Sequence, residues 1–261
     1  MKRYLSIAAL VGVAGLVLAL ADPAALAGDN TGWGTLKGQV VYGGDVPEAR
    51  PLDVNKDQNH CLSQGPILSE EWVVNKNNKG VRWVFVALAP TNRGGKLPIH
   101  PNLQKIQNKT VSIDQPCCKF VPHCLGMREG QELEAKNSAP IAHNVHWTGH
   151  PLATAGGNQL VPAKQSITIK DLKAHHIPIK INCDIHPWMS GYVQVFSHPY
   201  FAVTDEDGKF ELKNAPAGAY RLVIWQEKIG WGPAGRNGIP ITIKAGGDTD
   251  VGEIRIQEGK K

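Results

Sequence analysis

After residue 21 the chain has no apolar run approaching the twenty or so residues of a membrane-spanning helix. That predicts no membrane span in the mature protein. No C-x-x-C-H occurs, which excludes covalent c-type haem by that signature. No G-x-S-x-G occurs, so the nucleophile elbow of serine hydrolases is missing. Basic residues do not cluster beyond the last two lysines. The 28 Lys and Arg are interspersed with 23 Asp and Glu, so nucleic acid is not an expected partner. No convincing helical stripe is present, apart from a short turn expected near 171–175.

The first residues read as a leader. Lys2 and Arg3 precede an apolar run at 7–21, and Ala25-Leu26-Ala27 supplies a small-x-small cleavage pattern. Residues 1–27 are therefore expected to be a secretory signal peptide, cut after Ala27. No cysteine stands at the cleavage point, so no lipoprotein anchor is expected. The mature chain then belongs to the periplasm or the extracellular space, and its length suits one large or two ordinary domains. Five cysteines remain in that oxidising setting: Cys61, Cys117, Cys118, Cys124 and Cys183. An odd count marks one thiol with another task.

Period-two segments dominate what is present. VRWVFVALA (81–89) is apolar on both faces and reads as a central buried strand. KTVSID (109–114), QELEAKN (131–137), SITIK (166–170), IPIKINC (177–183) and YVQVF (192–196) alternate, with Gly, Pro and Asn between them. The predicted class is all-β, a sandwich or barrel. A second texture begins after Ser197. TDEDGKFELKNAPAGAYRLVIW has an Asp-Gly turn suited to positive φ, then a Pro-Ala-Gly loop, and IPITIKAGGDTDVGEIRI adds two strands about Gly-Gly. This stretch resembles the carboxypeptidase-regulatory-like, or prealbumin-like, β-sandwich. The resemblance implies a G-x-V first strand, and LKGQVVYGG (36–44) fits it. The expected domains are 47–197 for one sandwich and 198–257 for the other, the latter completed by a strand at 35–44. APTNRGGKLPIHPNLQKIQNK (89–109) is expected to be an inserted surface loop of the first.

The chemistry lies in NCDIHPWMSGYVQVF (182–196). Cys183, His186 and Met189 stand three apart on one loop between two strands. One loop cannot surround a metal, so a further ligand must come from elsewhere. His143 in SAPIAHNVHW is the candidate. Two imidazoles, a thiolate and a weak axial thioether form the ligand set of a blue-copper centre, which accommodates both copper(I) and copper(II). A buried structural cysteine, or zinc, is the competing reading. A structural zinc site would want a second spaced Cys/His pair, and none serves it.

The same residues resemble the cupredoxins, in particular the amicyanin and plastocyanin group, whose amicyanin-like members carry HNVHF and C-x-x-H-P-F-M. Here the segments are HNVHW and CDIHPWM, and the match runs from about residue 130 to 196. The resemblance implies a Greek-key β-sandwich, one type 1 copper ion held by His143, Cys183, His186 and Met189, and Asn144 tying the two loops together. It departs at Ala142, where small cupredoxins often have proline, and in the greater length of 47–197. His186, framed by Pro187 and Trp188, is expected to be the solvent-facing edge through which electrons pass.

Other histidines receive structural readings: His146 as a surface residue, His123 as a hydrogen-bonding one, and His150, His175, His176 and His198 as loop residues. CCKFVPHC (117–124) reads as a strand with Cys118, Phe120 and Cys124 on one face. Cys117 and Cys124 would then lie about 20 Å apart, too far to bridge. The preferred disulfide is Cys61–Cys118, with Cys117 or Cys124 as the other possible partners of Cys61.

The His-x-His pairs of multicopper oxidases are missing. The expected function is therefore single-electron transfer without enzymatic activity, with a dehydrogenase or cytochrome as redox partner. The alternative is an envelope structural or binding protein in which metal is stored or stabilises the fold.

Overall fold

Alternation of period two sends successive side chains to opposite faces of an extended chain, so the segments above should build sheets. The computed structural model describes residues 32–92 and 94–258. The expected leader, 1–27, lies outside the described residues. Sixteen strands are present among the described residues: β1 (Trp33–Tyr42), β2 (Phe85–Ala89), β3 (Thr110–Ile113), β4 (Cys124–Arg128), β5 (Glu132–Lys136), β6 (His143–Trp147), β7 (Gly157–Val161), β8 (Ser166–Ile169), β9 (Ile179–Asn182), β10 (Ser190–Phe196), β11 (Phe201–Val203), β12 (Lys209–Pro216), β13 (Gly218–Gln226), β14 (Gly230–Trp231), β15 (Ile239–Ile243) and β16 (Asp248–Ile256). The α-helices are two four-residue turns, α1 (Gln58–Cys61) and α2 (Pro101–Gln104). The helical turn expected near 171–175 does not form. The molecule is all-β.

The strands form two sandwiches. In the first, the sheet β4-β10-β9-β6-β7 faces the sheet β3-β5-β8. Ile113, Met127, Leu133, Val145, Ile181 and Val193 interdigitate between them in one buried core. In the second, β12-β1-β16 faces β11-β2-β13-β14, with β15 joined to β13. Its core takes Leu36 and Val40 from β1, Leu88 from β2, Phe210 from β12, Leu222 from β13 and Ile256 from β16. β1 is central in its sheet, antiparallel to β12 and parallel to β16.

The structure corrects further sequence expectations. Residues 81–89 were expected within the first sandwich, yet β2 pairs with β11 and β13 of the second. Val86 and Leu88 enter the second core, while Phe85 turns outward to meet Tyr192, Phe196 and Trp225 at the seam between the sandwiches. Both faces of β2 are apolar because both are covered. Residues 89–109 are not an insert of the first sandwich: they run from one sandwich to the other, and Leu97 and Leu103 pack on the second core. CCKFVPHC is a loop rather than a strand, since Cys118 adopts φ 54° and only Cys124 begins β4. The Asp205–Gly208 turn has the expected positive φ, 74° at Gly208. Its flanking strands belong to different sheets, β11 pairing with β2 and β12 with β1.

Candidate metal centre

The β9–β10 hairpin carries the first three candidate side chains. Ser190 pairs with Asn182 and Gly191 with Ile181, so residues 183–189 form the connecting loop. The loop closes on itself: the Cys183 N–H donates to the Met189 carbonyl (3.3 Å), and the Met189 N–H to the His186 carbonyl (2.9 Å). Ile179 and Ile181 alternate inward along β9, which carries Cys183 to the core side. β6 lies beside β9, and His143 opens it. His143, Cys183, His186 and Met189 are 0, 1, 0 and 1% exposed. The His143 and His186 ring centroids are 4.7 Å apart, and Cys183 Sγ is 3.9 Å from His186 Nδ1.

Hydrogen bonds decide which ring nitrogens are available. Asn137 Nδ2 donates to the carbonyls of Ile141 and Val161 (2.8 and 2.9 Å), which fixes its Oδ1 as the acceptor facing His143 Nδ1 at 3.1 Å. His143 therefore carries its proton on Nδ1. Its Nε2 is buried and has no hydrogen-bond partner. On His186 the arrangement is reversed: Nε2 meets the Asp57 carboxylate at 2.7 Å, which leaves Nδ1 to face Cys183 Sγ at 3.9 Å. Each imidazole thus presents an unprotonated nitrogen, and its other nitrogen is held by an oxygen acceptor, as metal-ligating histidines usually are. Burial, followed by the nearby His186 and His60, pushes the His143 pKa down to about 4. The ring is thereby kept neutral, as a ligand must be.

Asn144 joins the two loops. Its Oδ1 accepts the N–H groups of Asp184 and Ile185 (2.8 and 3.2 Å), its backbone N–H points at Cys183 Sγ (3.5 Å), and Nδ2 donates to Asn158 (2.7 Å). Asp184 also receives His146 Nδ1 at 3.0 Å and Asn158 Nδ2 at 2.6 Å. The bond to His146 is the largest cause holding the Asp184 carboxyl below its usual range. His146 is thereby occupied at the surface, apart from the buried set.

Cys61 and Cys118 form a disulfide, 57 residues apart in sequence. Cys117, Cys124 and Cys183 are free. Cys61, Cys118 and His186 are the described group of three potential ligands whose donor atoms all lie within 4.8 Å of one another. The set His143, Cys183, His186 is wider than that. The bridged sulfurs have no thiolate to offer, so they wall the site.

That wall alters the expected solvent edge. His186 is fully buried, because α1 and Asp57 are pinned above it by the disulfide. Pro187 is exposed. Trp188 is half-buried, its indole N–H donating to the Cys118 carbonyl (3.2 Å) and its ring 5.2 Å from that of His186.

Sequence reasoning missed Asp57, Asn137 and Glu227. Asp57 is 129 positions from His186 and carries no local signal. Glu227, from just beyond β13, meets His123 Nε2 at 2.5 Å where both are buried, and so bonds the two sandwiches together.

Fold and site together define a class: an all-β chain of two sandwiches, with two imidazoles, a thiol and a thioether buried in the core of the first. Among solved structures the chain is similar to a methionine-to-glutamine variant of amicyanin in its Cu(I) form, at 22% identity over 33% of this chain and 82% of that one, with a TM-score of 0.30. It is similar also to a reduced tryptophan-to-tyrosine variant of amicyanin, at 19% identity over 42% and 97%, TM-score 0.30. A purple cupredoxin from Nitrosopumilus maritimus is similar at 18% identity over 32% and 97%, TM-score 0.27. No protein-family model and no curated protein sequence matches the chain.

Proposed function

We infer that the protein is a mononuclear type 1 copper protein that passes single electrons between redox partners. The observation that carries this reading is His143 Nε2, buried without a hydrogen-bond partner, in the same core as His186 Nδ1, whose contact is Cys183 Sγ at 3.9 Å. With Met189 they make a donor set of mixed softness, suited to both oxidation states of copper. Bound copper would supply a one-electron couple. Asn137 and Asp57 would hold the two imidazole protons away from the ligating atoms. Asn144, through its backbone N–H, would stabilise a Cys183 thiolate. The ligands stand at strand ends or in one tight hairpin loop, so little movement would accompany a change of redox state.

A dehydrogenase or cytochrome partner and a periplasmic or extracellular location fit this reading, with 1–27 as the leader. No helix among the described residues is long and apolar enough to cross a membrane. We assign no catalytic residue. The second sandwich is read as prealbumin-like on the strength of its TDEDGKFELKNAPAGAYRLVIW stretch. The cover of Asp57 and the disulfide over His186 favours a second reading, in which metal is stored or braces the fold.

Copper-loaded oxidised protein should show an intense thiolate-to-copper band, absent from Cys183→Ser because serine has no thiolate electron to give. Full copper occupancy without that band would overturn the type 1 reading. A band without a reversible midpoint potential would select storage over electron transfer.

A further inference from the structure

β13 has two faces. Tyr220, Leu222 and Ile224 enter the second core, while Arg221, Val223 and Trp225 look toward the first sandwich. β10 mirrors this: Val193 and Val195 enter the first core, while Gln194 and Phe196 lie on its opposite face. Between the facing strands is a cleft of about 640 Å³. That is within the range of small-molecule sites, and it lies at a domain seam where such sites concentrate.

Its lining combines aromatic rings with positive charge. Phe85, Phe196, Trp225 and Trp231 form apolar walls. Arg221 and Arg236 supply two permanent charges, and no Asp or Glu is among the described lining residues. Neither arginine is ion-paired among the described residues. Arg221 is anchored, its Nε and one Nη donating to the Pro90 carbonyl at 3.0 and 2.8 Å, which leaves three of its five N–H groups. Arg236 lies over the Trp231 ring, 5.7 Å from its centroid.

At the rim, His150, His175 and His176 stack at centroid spacings of 3.6 and 4.0 Å. Two of the three rings already use a nitrogen as acceptor. His150 Nδ1 accepts the Leu152 N–H (3.2 Å) and His175 Nδ1 the Ile177 N–H (3.1 Å). In the neutral ring the remaining nitrogen is then an N–H, which donates to anions and cannot ligate a cation.

We propose that the cleft between the sandwiches binds a small aromatic carboxylate, its ring between the aromatic walls and its carboxylate at Arg236 and Arg221. Planar guanidiniums match carboxylates in a bidentate fork and gain strength where water is partly excluded. The site is independent of the metal reading, because binding is measured without copper.

The test is calorimetric titration of the intact copper-free protein with 2-naphthoate and with neutral 2-naphthamide. Amide shifts in NMR map where each binds. One equivalent of 2-naphthoate should bind, roughly tenfold or more tighter than 2-naphthamide, because the charged contact is lost in the amide. Arg236→Gln, an exposed position outside any strand, should erase most of that preference. Shifts should centre on β13 and residues 174–176. Equal affinity for the two probes, no binding at millimolar 2-naphthoate, or shifts centred elsewhere would each overturn the proposal. The shift map on the wild-type protein decides the matter even if the variant folds poorly.

Discussion

Replacing Asp57 by Asn tests the bond that holds His186. The carboxylate meets His186 Nε2 at 2.7 Å and the imidazole is fully buried. Asparagine is the informative change, because Asp57 sits at φ 47° and Asn tolerates the left-handed region almost as well, whereas Ala would add backbone strain. A charge-assisted hydrogen bond contributes about 1.5–3 kcal/mol. The Asp57 side chain is 38% exposed, so solvent screening reduces this to about 1 kcal/mol. That corresponds to roughly a fivefold loss of copper affinity, at or below the low end of what outer partners of metal-bound histidines usually contribute. The assay is copper competition against a chelator of known affinity, paired with thermal melting with and without copper. A positioning role for Asp57 requires the variant to lose more stability in the copper-loaded than in the copper-free protein. Equal losses in both forms, with copper affinity unchanged within twofold, would refute it and reduce Asp57 to a clasp for α1.

Three further outcomes are expected. The copper-free protein should weaken as pH falls from about 6.5 to about 4: folded His143 resists the proton that its unfolded form accepts, so stability present above pH 6.5 is lost across that window, by roughly 2–3 kcal/mol. Denaturation at several pH values checks this, and His143→Gln should flatten the slope. Leu36→Ala empties a fully buried site in the central strand β1 and should cost about 2–5 kcal/mol, with amides of β16 losing hydrogen-exchange protection before those of β9; a cost under about 1 kcal/mol would contradict the central placement. The double variant Cys61→Ser, Cys118→Ser should lose about 4 kcal/mol by loop-closure entropy over 57 residues, and His186 amide exchange should quicken as its cover loosens.

Legibility in the sequence followed the range of the interactions. Cys183, His186 and Met189 share one hairpin loop, so spacing alone placed them together. His143 was reachable because HNVH opens a strand beside β9. The Cys61–Cys118 bridge was legible as a preference among three pairings. The covered face of β2 was not: an apolar strand announces burial but not which core receives it. Nor was the closure of His186, because Asp57 is held over it by a disulfide and stands 129 positions away in sequence. The misread CCKFVPHC segment turned on one backbone angle at Cys118, which a run of compact apolar residues conceals.

The order of strands also sets an order of events during synthesis. The strands of the first sandwich, β3 to β10, are consecutive in the chain and can pair once the last of them has emerged, onto the earlier 54–67 segment that completes their core. The second is threaded around it. β1 and β2 are made early, but β1 must wait for β12 and β16, and Lys37 meets Asp248 across 211 positions. Its two open edges stay unpaired through most of translation, the interval in which such edges recruit the wrong partner. Slow, long-range closure of this kind makes the second sandwich the later and more aggregation-prone half of the fold. A holdase that delays this chain would therefore act on the ends of the sequence, while the half that carries His143 and Cys183 is already formed between them.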